Sequence, residues 1–493
     1  MTEVSRYGWW WASLLTIGGL QLVMPFVPGG REQLGTELLL FWVVVIAASL
    51  CAVTALAATV RAWRDDTADL GFVGGFYMAV SLLPLVHGIT TPGVLYGPNE
   101  ATMTSVQWSI TAAVIAAAPM LAPRPIAARL AAHWRPWVVT NIVFQVALSV
   151  TLLVSPSLLP LAGMGSTGAR IMAATMFVIC AVLSRRHARL HRIARKPGTM
   201  AVSIAYLLIG ASGLVWVADA PMTVGFWLAH AFDIGGVFLG TIIGLLTYRR
   251  GELEQHVLRP IVTRDPLDAL ELGLDPIVRR FMADLATKDE VTHDHVARTS
   301  ELAMAVAEEC GFDEDDLRLV GIGAMLHDVG KLEIDDAVLN KPGKLDDAEF
   351  AHMKTHTTIG AALVRESEVL APIEPLVVQH HERPDGRGYP RGLRADEIHP
   401  LAKVISVCDA FDAMTHTRQY REGMGVEKAT AILREHAGAQ WDATVVDAML
   451  RLVERDEIAM VPTVMADIGR HAGCACGDLV KDLLPPEAEP VSV

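Results

Sequence analysis

Eight apolar segments, each close to the length needed to cross a bilayer, fill the first half of the chain. A membrane-spanning helix needs roughly 20 consecutive apolar residues. The segments lie at about residues 9–28, 38–59, 71–90, 105–122, 137–159, 168–184, 200–218 and 224–247. Because lipid offers the backbone no hydrogen-bond partner, segments of this kind fold as helices. The sequence therefore predicts a polytopic helical membrane domain of about eight spans over residues 1–248.

Basic residues lie mainly in the loops that follow the even-numbered segments. Two arginines follow the second segment and three follow the fourth, whereas Arg31 and Arg170 are the exceptions in the odd-numbered loops. The largest group follows the sixth segment and consists of Arg185, Arg186, Arg189, Arg192, Arg195 and Lys196. Lysine and arginine accumulate on the cytoplasmic side of a membrane. The pattern predicts an inner-membrane protein with both termini in the cytoplasm and with lipid as a partner.

The two halves of the chain differ in charge. Residues 1–250 carry 16 Lys and Arg against 9 Asp and Glu, and residues 251–493 carry 25 against 46. An acidic second half argues against binding to a nucleic-acid polymer. Proline-punctuated residues 249–285 are predicted as a jointed linker, because proline interrupts a continuous helix. Residues 461–493 are predicted as a tail, in which Cys474 and Cys476 form either a metal or redox motif or part of a flexible segment.

His230 and Asp233 are three residues apart inside the last apolar segment. This spacing puts both side chains on one face of a helix. An ionisable pair within a membrane span indicates a functional site, such as a proton or ligand sensor. A hydrogen bond between two helices explains the pair equally well, and the sequence leaves both interpretations open.

Histidine and aspartate become frequent between residues 293 and 416, where the apolar periodicity is helical. Imidazole and carboxylate groups are the usual protein ligands of Fe, Mn and Zn. Seven candidate ligands stand out, namely His295, His327, Asp328, His356, His380, His381 and Asp409. They are too far apart in sequence to bind a metal locally, so they must converge from several helices. The sequence predicts an all-helical cytoplasmic domain over residues 286–460 with a metal site in its core.

Residues 288 to about 450 contain a series of short motifs. They are Thr292–His295 (THDH), Leu326–Lys331 (LHDVGK), Leu339–Leu345 (LNKPGKL), Met353–His356 (MKTH), His380–Pro390 (HHERPDGRGYP), Val407–Thr415 (VCDAFDAMT) and Arg418–Arg421 (RQYR). In these motifs the segment resembles the HD-GYP family of HD-type phosphohydrolases. The motifs cover roughly a third of the chain and leave the membrane half unexplained.

The resemblance implies an all-helical fold and a phosphodiesterase that depends on two divalent metal ions, most typically Fe or Mn. It implies that His295, His327, Asp328 and Asp409 hold one ion. Asp328 then bridges to a second ion, which His356, His380 and His381 hold. Some relatives bind a third ion through a glutamate at the position of Val291, so two ions are expected here.

The resemblance also implies roles beyond metal binding. Asp328 and Lys331 are the catalytic residues, with Lys331 reaching the bridging water or a phosphate oxygen. Arg418 and Arg421 contact phosphate or guanine, and Tyr389 lines the substrate pocket. Ordinary surface ion pairs remain an alternative for the two arginines, as does a purely loop-shaping role for Tyr389. Gln419 stands where proline is common, which should change loop stiffness more than chemistry.

The function that this resemblance implies is hydrolysis of cyclic di-GMP to linear pGpG, GMP or both, under the control of the membrane domain. Two metal ions about 3.5–4 Å apart lower the pKa of a shared water and stabilise an in-line displacement at phosphorus. The alternatives are an HD hydrolase of another nucleotide or cyclic dinucleotide, and a receptor that binds nucleotide without turnover. A second copy of the chain is a further expected partner.

Overall fold

The computed structural model of the chain describes residues 8–23, 26–27, 35–66, 68–95, 101–122, 124–159, 166–217, 222–246, 266–288, 292–341, 343–416 and 423–455. The regular structure in these ranges is helical, and they contain no strand longer than an isolated β-bridge. The chain divides into two compact units, Met1–Gly273 and Leu274–Val493. The predicted all-helical fold of both halves agrees with the described residues.

Unit 1 contains ten described α-helices. They are α1 Gly8–Val23, α2 Glu37–Asp65, α3 Ala68–Ile89, α4 Ala101–Leu121, α5 Arg124–Ala131, α6 Trp134–Val154, α7 Thr167–Ala194, α8 Pro197–Ser212, α9 Val224–Leu246 and α10 Pro266–Gly273. Among the described residues, six segments are long and apolar enough to cross a membrane, and they lie in α2, α3, α4, α6 and α7 and from α8 to Val215. The first and last predicted spans correspond to α1 and α9. The number of eight spans stays a prediction.

The α6 helix is polar on its buried face and apolar on its exposed face. Asn141, Gln145 and Ser149 are buried at 0–7% exposure. Val143 and Val150 on the other side are 60% and 54% exposed. The Gln145 amide donates to the Asn141 side-chain oxygen on α6 and to the Gly75 carbonyl oxygen on α3. A helix in lipid shows this distribution, because polar groups pair inside the bundle and apolar ones face the hydrocarbon.

Helix α7 runs ten residues past the end of the sixth predicted span at residue 184. Four of the arginines predicted in the loop that follows this span therefore lie on the last turns of α7. Helix α10 packs against the end of α7 so closely that a Cβ on Gly273 would lie 2.1 Å from the Ala194 carbonyl oxygen. Residues 249–265 of the predicted linker are outside the described ranges. Both of its described helices begin at a proline, a position that proline favours.

Unit 2 contains ten further described helices. They are α11 Pro276–Lys288, α12 Thr292–Glu309, α13 Glu314–Leu326, α14 Asp336–Leu339, α15 Asp347–Lys354, α16 His356–Arg365, α17 Glu374–Gln379, α18 Pro400–Thr415, α19 Val426–Glu435 and α20 Ala443–Glu454. Asp313 caps α13 and Asp346 caps α15, each in a reciprocal capping box. The core includes Leu317, Val320 and Met325 of α13 and Ile405 and Val407 of α18. The helices that carry the candidate ligands thus share one apolar core.

A 3-10 turn at Val329–Glu333 directly follows the predicted His-Asp motif, and it lies against the start of α16. A Cβ on Gly330 would lie 1.9 Å from the His356 carbonyl oxygen and 2.6 Å from the Gly360 nitrogen. Only glycine allows the two backbones to approach this closely. Gly330 therefore brings Asp328 and His356, which belong to different elements, to the same place.

Candidate metal centre

All seven predicted ligands lie in two groups whose ligand atoms could hold metal ions. One group consists of Asp328, His356, His380 and His381, and the other of His295, His327 and Asp409. Within each group the ligand atoms are within 4.8 Å of one another. This division matches the two ligand sets that the family resemblance implies. The role of each residue as a ligand stays a prediction, whereas their convergence is a property of the structure.

Asp328 has one carboxylate oxygen near each group. Its Oδ2 lies 3.3 Å from His327 Nε2, and its Oδ1 lies 3.4 Å from His356 Nε2. The carboxylate is buried at 5% exposure, and Lys331 Nζ lies 2.6 Å from Oδ2. A carboxylate with its two oxygens in two ligand sets has the geometry required to bridge two ions.

The rings of four histidines are oriented by hydrogen-bond acceptors that belong to neither ligand group. The Nδ1 atoms of His327, His356 and His380 lie 2.7–2.8 Å from the carbonyl oxygens of residues 324, 353 and 377. His295 Nδ1 lies 2.7 Å from Asp412 Oδ2. Because a carbonyl oxygen can only accept, the neutral rings of His327, His356 and His380 carry their proton on Nδ1, which leaves Nε2 with a lone pair for a metal ion.

The centre passes a direct test of whether its residues fit a metal. His327 Nε2 is buried and forms no hydrogen bond of good geometry within the described part of the chain, although Asp328 Oδ2 lies 3.3 Å away. A buried polar atom without a partner destabilises a fold by about 1–3 kcal/mol. Three features suit a divalent ion such as Fe or Mn. They are the lone pair at this atom, the imidazole and carboxylate groups, and the absence of thiols from both groups.

The pKa values of the histidines differ between the two groups. Burial lowers the pKa values of His356 and His380, and it lowers that of His381 to about 4. These three imidazoles are therefore neutral at pH 7. Burial also lowers the pKa of His295, but its ion pairs with Asp409 and Asp412 outweigh burial and raise the pKa to about 9. A metal ion at the second group must therefore displace a proton at pH 7.

Four of the predicted catalytic or substrate-binding residues are not metal ligands. The structure places two of them, Lys331 and Tyr389, beside the metal centre. Lys331 contacts Asp328, and the Tyr389 ring lies 4.8 Å from the ring of His381. The Tyr389 backbone nitrogen donates to the His381 carbonyl oxygen, and the Tyr389-Pro390 peptide bond is cis. Arg418 and Arg421 lie outside the described residues, as do Cys474 and Cys476.

Two buried carboxylates at the centre were not among the predicted site residues. Asp412 Oδ1 accepts from Arg298 Nε at 2.6 Å, and Oδ2 accepts from His295. Glu382 accepts backbone hydrogen bonds from Arg391 and Leu393 at 2.7 and 2.9 Å. Asp412 orients a predicted ligand, and Glu382 holds the loop that carries Tyr389. The spacing of Asp412 three residues after Asp409 on α18 was the one sequence signal for its position.

Comparison with known proteins agrees with this architecture. Residues 280–445 match the family model described as "HD domain". A cyclic di-GMP phosphodiesterase response regulator of Xanthomonas campestris is 39% identical over 174 residues, which is 35% of this chain and 46% of that protein. A cyclic di-GMP phosphodiesterase of Pseudomonas aeruginosa is 36% identical over 170 residues, 34% of this chain and 41% of the relative.

A relative with a different substrate in its name also matches. The 3'3'-cGAMP-specific phosphodiesterase 3 of Vibrio cholerae is 31% identical over 215 residues, 43% of this chain and 46% of that protein. The chain thus spans less than half the length of each of these relatives. The C-terminal part of the chain is an HD domain. Its predicted resemblance to the HD-type cyclic dinucleotide phosphodiesterases is confirmed, and the matched residues contain both groups of candidate ligands.

Proposed function

We propose that the chain is a membrane-bound, metal-dependent phosphodiesterase that hydrolyses cyclic di-GMP to linear pGpG, GMP or both. The position of Asp328 between the two ligand groups carries the proposal. A pair of bridged ions activates water and neutralises phosphate charge, which is the chemistry that a phosphodiester requires. The relatives named as cyclic di-GMP phosphodiesterases support the choice of substrate.

The residues of the chain have distinct tasks in this proposal. The seven predicted ligands would hold two divalent ions, most suitably Fe or Mn, with Asp328 shared between the two groups. Lys331 offers a positive charge and a proton donor beside Asp328, where charge develops on the phosphate in the transition state. Tyr389 covers His381 and forms a wall of the substrate pocket. Arg418 and Arg421 supply further positive charge for phosphate or guanine.

Hydrolysis of 3'3'-cGAMP is a second candidate, which the relatives of Vibrio cholerae named for that substrate favour. The two substrates have the same phosphodiester ring and differ in one base. The test is a turnover assay of the full-length protein with Mn²⁺ or Fe²⁺, in which each substrate is offered alone and then in competition. Faster turnover of cyclic di-GMP supports the proposal, and faster turnover of 3'3'-cGAMP changes the substrate. Binding without turnover of either one would make the domain a receptor.

We also propose that unit 1 anchors the chain in the inner membrane with both termini in the cytoplasm. The lipid-type distribution of side chains on α6 and the six membrane-length segments support this proposal. A cytoplasmic-type reporter fused after Val493 should then be active, and a periplasmic-type reporter should be active when inserted near Pro98. The reverse pattern of activities would invert the proposed topology.

A further inference from the structure

Unit 1 contains a cavity of about 120 Å³ that the proposed function does not explain. Residues of α2, α3, α4, α7, α8 and α9 line it. Most of the wall is aliphatic, with Phe226 as its aromatic member. Five polar side chains interrupt this apolar lining, and they are His87, Ser109, Ser212, His230 and Asp233. The wall therefore combines a large apolar area with a small number of polar groups, as in ligand sites.

His87 on α3 contributes a buried acceptor to this cavity. It is 3% exposed, and its Nδ1 lies 2.7 Å from the Thr102 carbonyl oxygen. A carbonyl oxygen can only accept, so the proton of a neutral imidazole is on Nδ1. The Nε2 atom is buried and has no hydrogen-bond partner among the described residues. His87 thus has a lone pair that the described part of the chain leaves unsatisfied.

His230 on α9 also has its Nδ1 atom directed at a backbone carbonyl oxygen. Its Nδ1 lies 2.9 Å from the Phe226 carbonyl oxygen, so its Nε2 is again the acceptor. The ring centroids of His87 and His230 are 6.2 Å apart, with an angle of 30° between the ring planes. The two acceptors therefore belong to neighbouring rings on the same stretch of wall.

The remaining polar groups of the wall are also acceptors. The Ser109 hydroxyl donates to the Ala79 carbonyl oxygen at 3.0 Å, and the Ser212 hydroxyl donates to the Ile209 carbonyl oxygen at 2.7 Å. Both hydroxyl protons are thus engaged with the backbone. Asp233 lies one helical turn after His230 and lines the same wall. The cavity therefore offers one carboxylate and several lone pairs as hydrogen-bond acceptors. The protons of its hydroxyl and imidazole groups point to backbone carbonyl oxygens.

We propose that this cavity binds a small organic cation, namely an ammonium group attached to an apolar body about the size of benzene. The ammonium protons match the acceptors, its charge matches Asp233, and the apolar body matches the walls. A cavity of about 150 Å³ accommodates benzene in another protein, and the volume of about 120 Å³ here is somewhat smaller, so the apolar body can be no larger than one such ring. The ligand atoms of each group in the HD domain lie within 4.8 Å of one another, whereas His87, His230 and Asp233 do not form such a group. This difference disfavours a metal ion in the cavity.

The test uses the full-length protein in lipid nanodiscs and two probes of the same shape. Benzylamine carries the ammonium group, and benzyl alcohol replaces it with a neutral hydroxyl. Equilibrium dialysis should show saturable binding of benzylamine that is about tenfold or more tighter than that of benzyl alcohol, since hydrogen bonds to charged groups are the stronger ones. Equal affinities, or no saturable binding of benzylamine, would overturn the proposal.

Two variants locate the site. Asp233→Asn keeps the shape of the side chain and removes its charge, so it should weaken benzylamine binding about tenfold and leave benzyl alcohol unchanged. Asp66→Asn is the matched control, because its side chain is 70% exposed and Asp66 does not line the cavity. An unchanged benzylamine affinity in Asp233→Asn would refute the site. Saturable uptake of Zn²⁺ that depends on His87 and His230 and excludes benzylamine would replace the organic cation with a metal. None of these measurements depends on phosphodiesterase activity.

Discussion

Asp328 Oδ1 lies 3.4 Å from His356 Nε2, although the two residues belong to different elements of the HD domain. The other carboxylate oxygen lies 3.3 Å from His327 Nε2 in the neighbouring ligand group. One carboxylate therefore lies close to histidines of both ligand groups. This position predicts that both candidate ion sites depend on Asp328, and it gives the first of four predictions.

Asp328→Ala should abolish both metal binding and turnover while the helices remain folded. The reason is that both ligand groups lose an oxygen atom and the link between them. Elemental analysis and circular dichroism would check the two parts of this prediction. Asp396→Asn, which changes an exposed carboxylate of the same domain, is the control and should retain metal and activity. Two ions retained per chain in Asp328→Ala would exclude a bridging role.

Lys331→Ala should keep the metal content and lower the turnover number by about 10²-fold. This magnitude is typical of the loss of one preorganised donor that acts in the transition state. Metal content and steady-state kinetics are the measurements. Lys344→Ala, at an exposed lysine in the segment before α15, should leave both unchanged. A normal turnover number in Lys331→Ala would mean that this ammonium group does not act on the reacting phosphate.

Gly330→Ala should destabilise the HD domain and reduce its metal content together. The added Cβ would press on the backbone of His356 and Gly360, and overpacking of this kind costs about 1–3 kcal/mol. Thermal unfolding and metal analysis would measure the effect. Gly425→Ala has no atom within 4 Å of the new Cβ and serves as the control. Equal melting temperatures for the two variants would contradict the close approach of the backbones.

Metal binding should release protons at pH 7, and the release should decrease as the pH rises through about 9. The pKa of His295 is raised to about 9, so its imidazole is protonated at pH 7 before a metal ion binds and is neutral above that value. Titration of metal-free protein with Mn²⁺ in buffers of different ionisation enthalpy measures the released protons. Asp412→Asn removes one of the charges that raise this pKa, so the decrease should move to lower pH.

The control for this titration is His436→Gln, which changes an exposed histidine away from both ligand groups. Proton release in this variant should match that of the unmodified protein. If the release did not vary between pH 7 and pH 10 in either protein, His295 would not be the protonated ligand.

The convergence of the seven ligands could be predicted from the sequence. Histidines and aspartates at motif spacing leave a strong signal, and apolar periodicity identifies the helices that carry them. Asp412 was not predicted, since its role depends on packing α12 against α18, 117 residues away from His295 along the chain. Arg298 shows the same limitation, because nothing near it in sequence reveals that Asp412 is its partner. Contacts of this kind are set by tertiary packing and not by local pattern.

The first half of the chain illustrates a second limit. The hydropathy pattern predicts the positions of the helices well, because length and apolar content determine them. The pattern singles out His230 and Asp233 but not His87. His87 is 143 residues before His230 in the chain, and it lines the same cavity only because unit 1 has folded. The direction in which each hydroxyl and imidazole donates its proton depends on neighbouring carbonyl groups, and no sequence pattern encodes it.

Helix α11 packs on the turn at Val329–Glu333, and Lys288 at its end donates to the Leu332 carbonyl oxygen at 2.5 Å. The last part of the connecting segment is therefore also a support for the turn that carries Lys331. This has a practical consequence for protein engineering. A chimera that joins a foreign input module to this HD domain should place its junction N-terminal to Pro276, because a later junction would replace the helix that packs on the turn that carries Lys331.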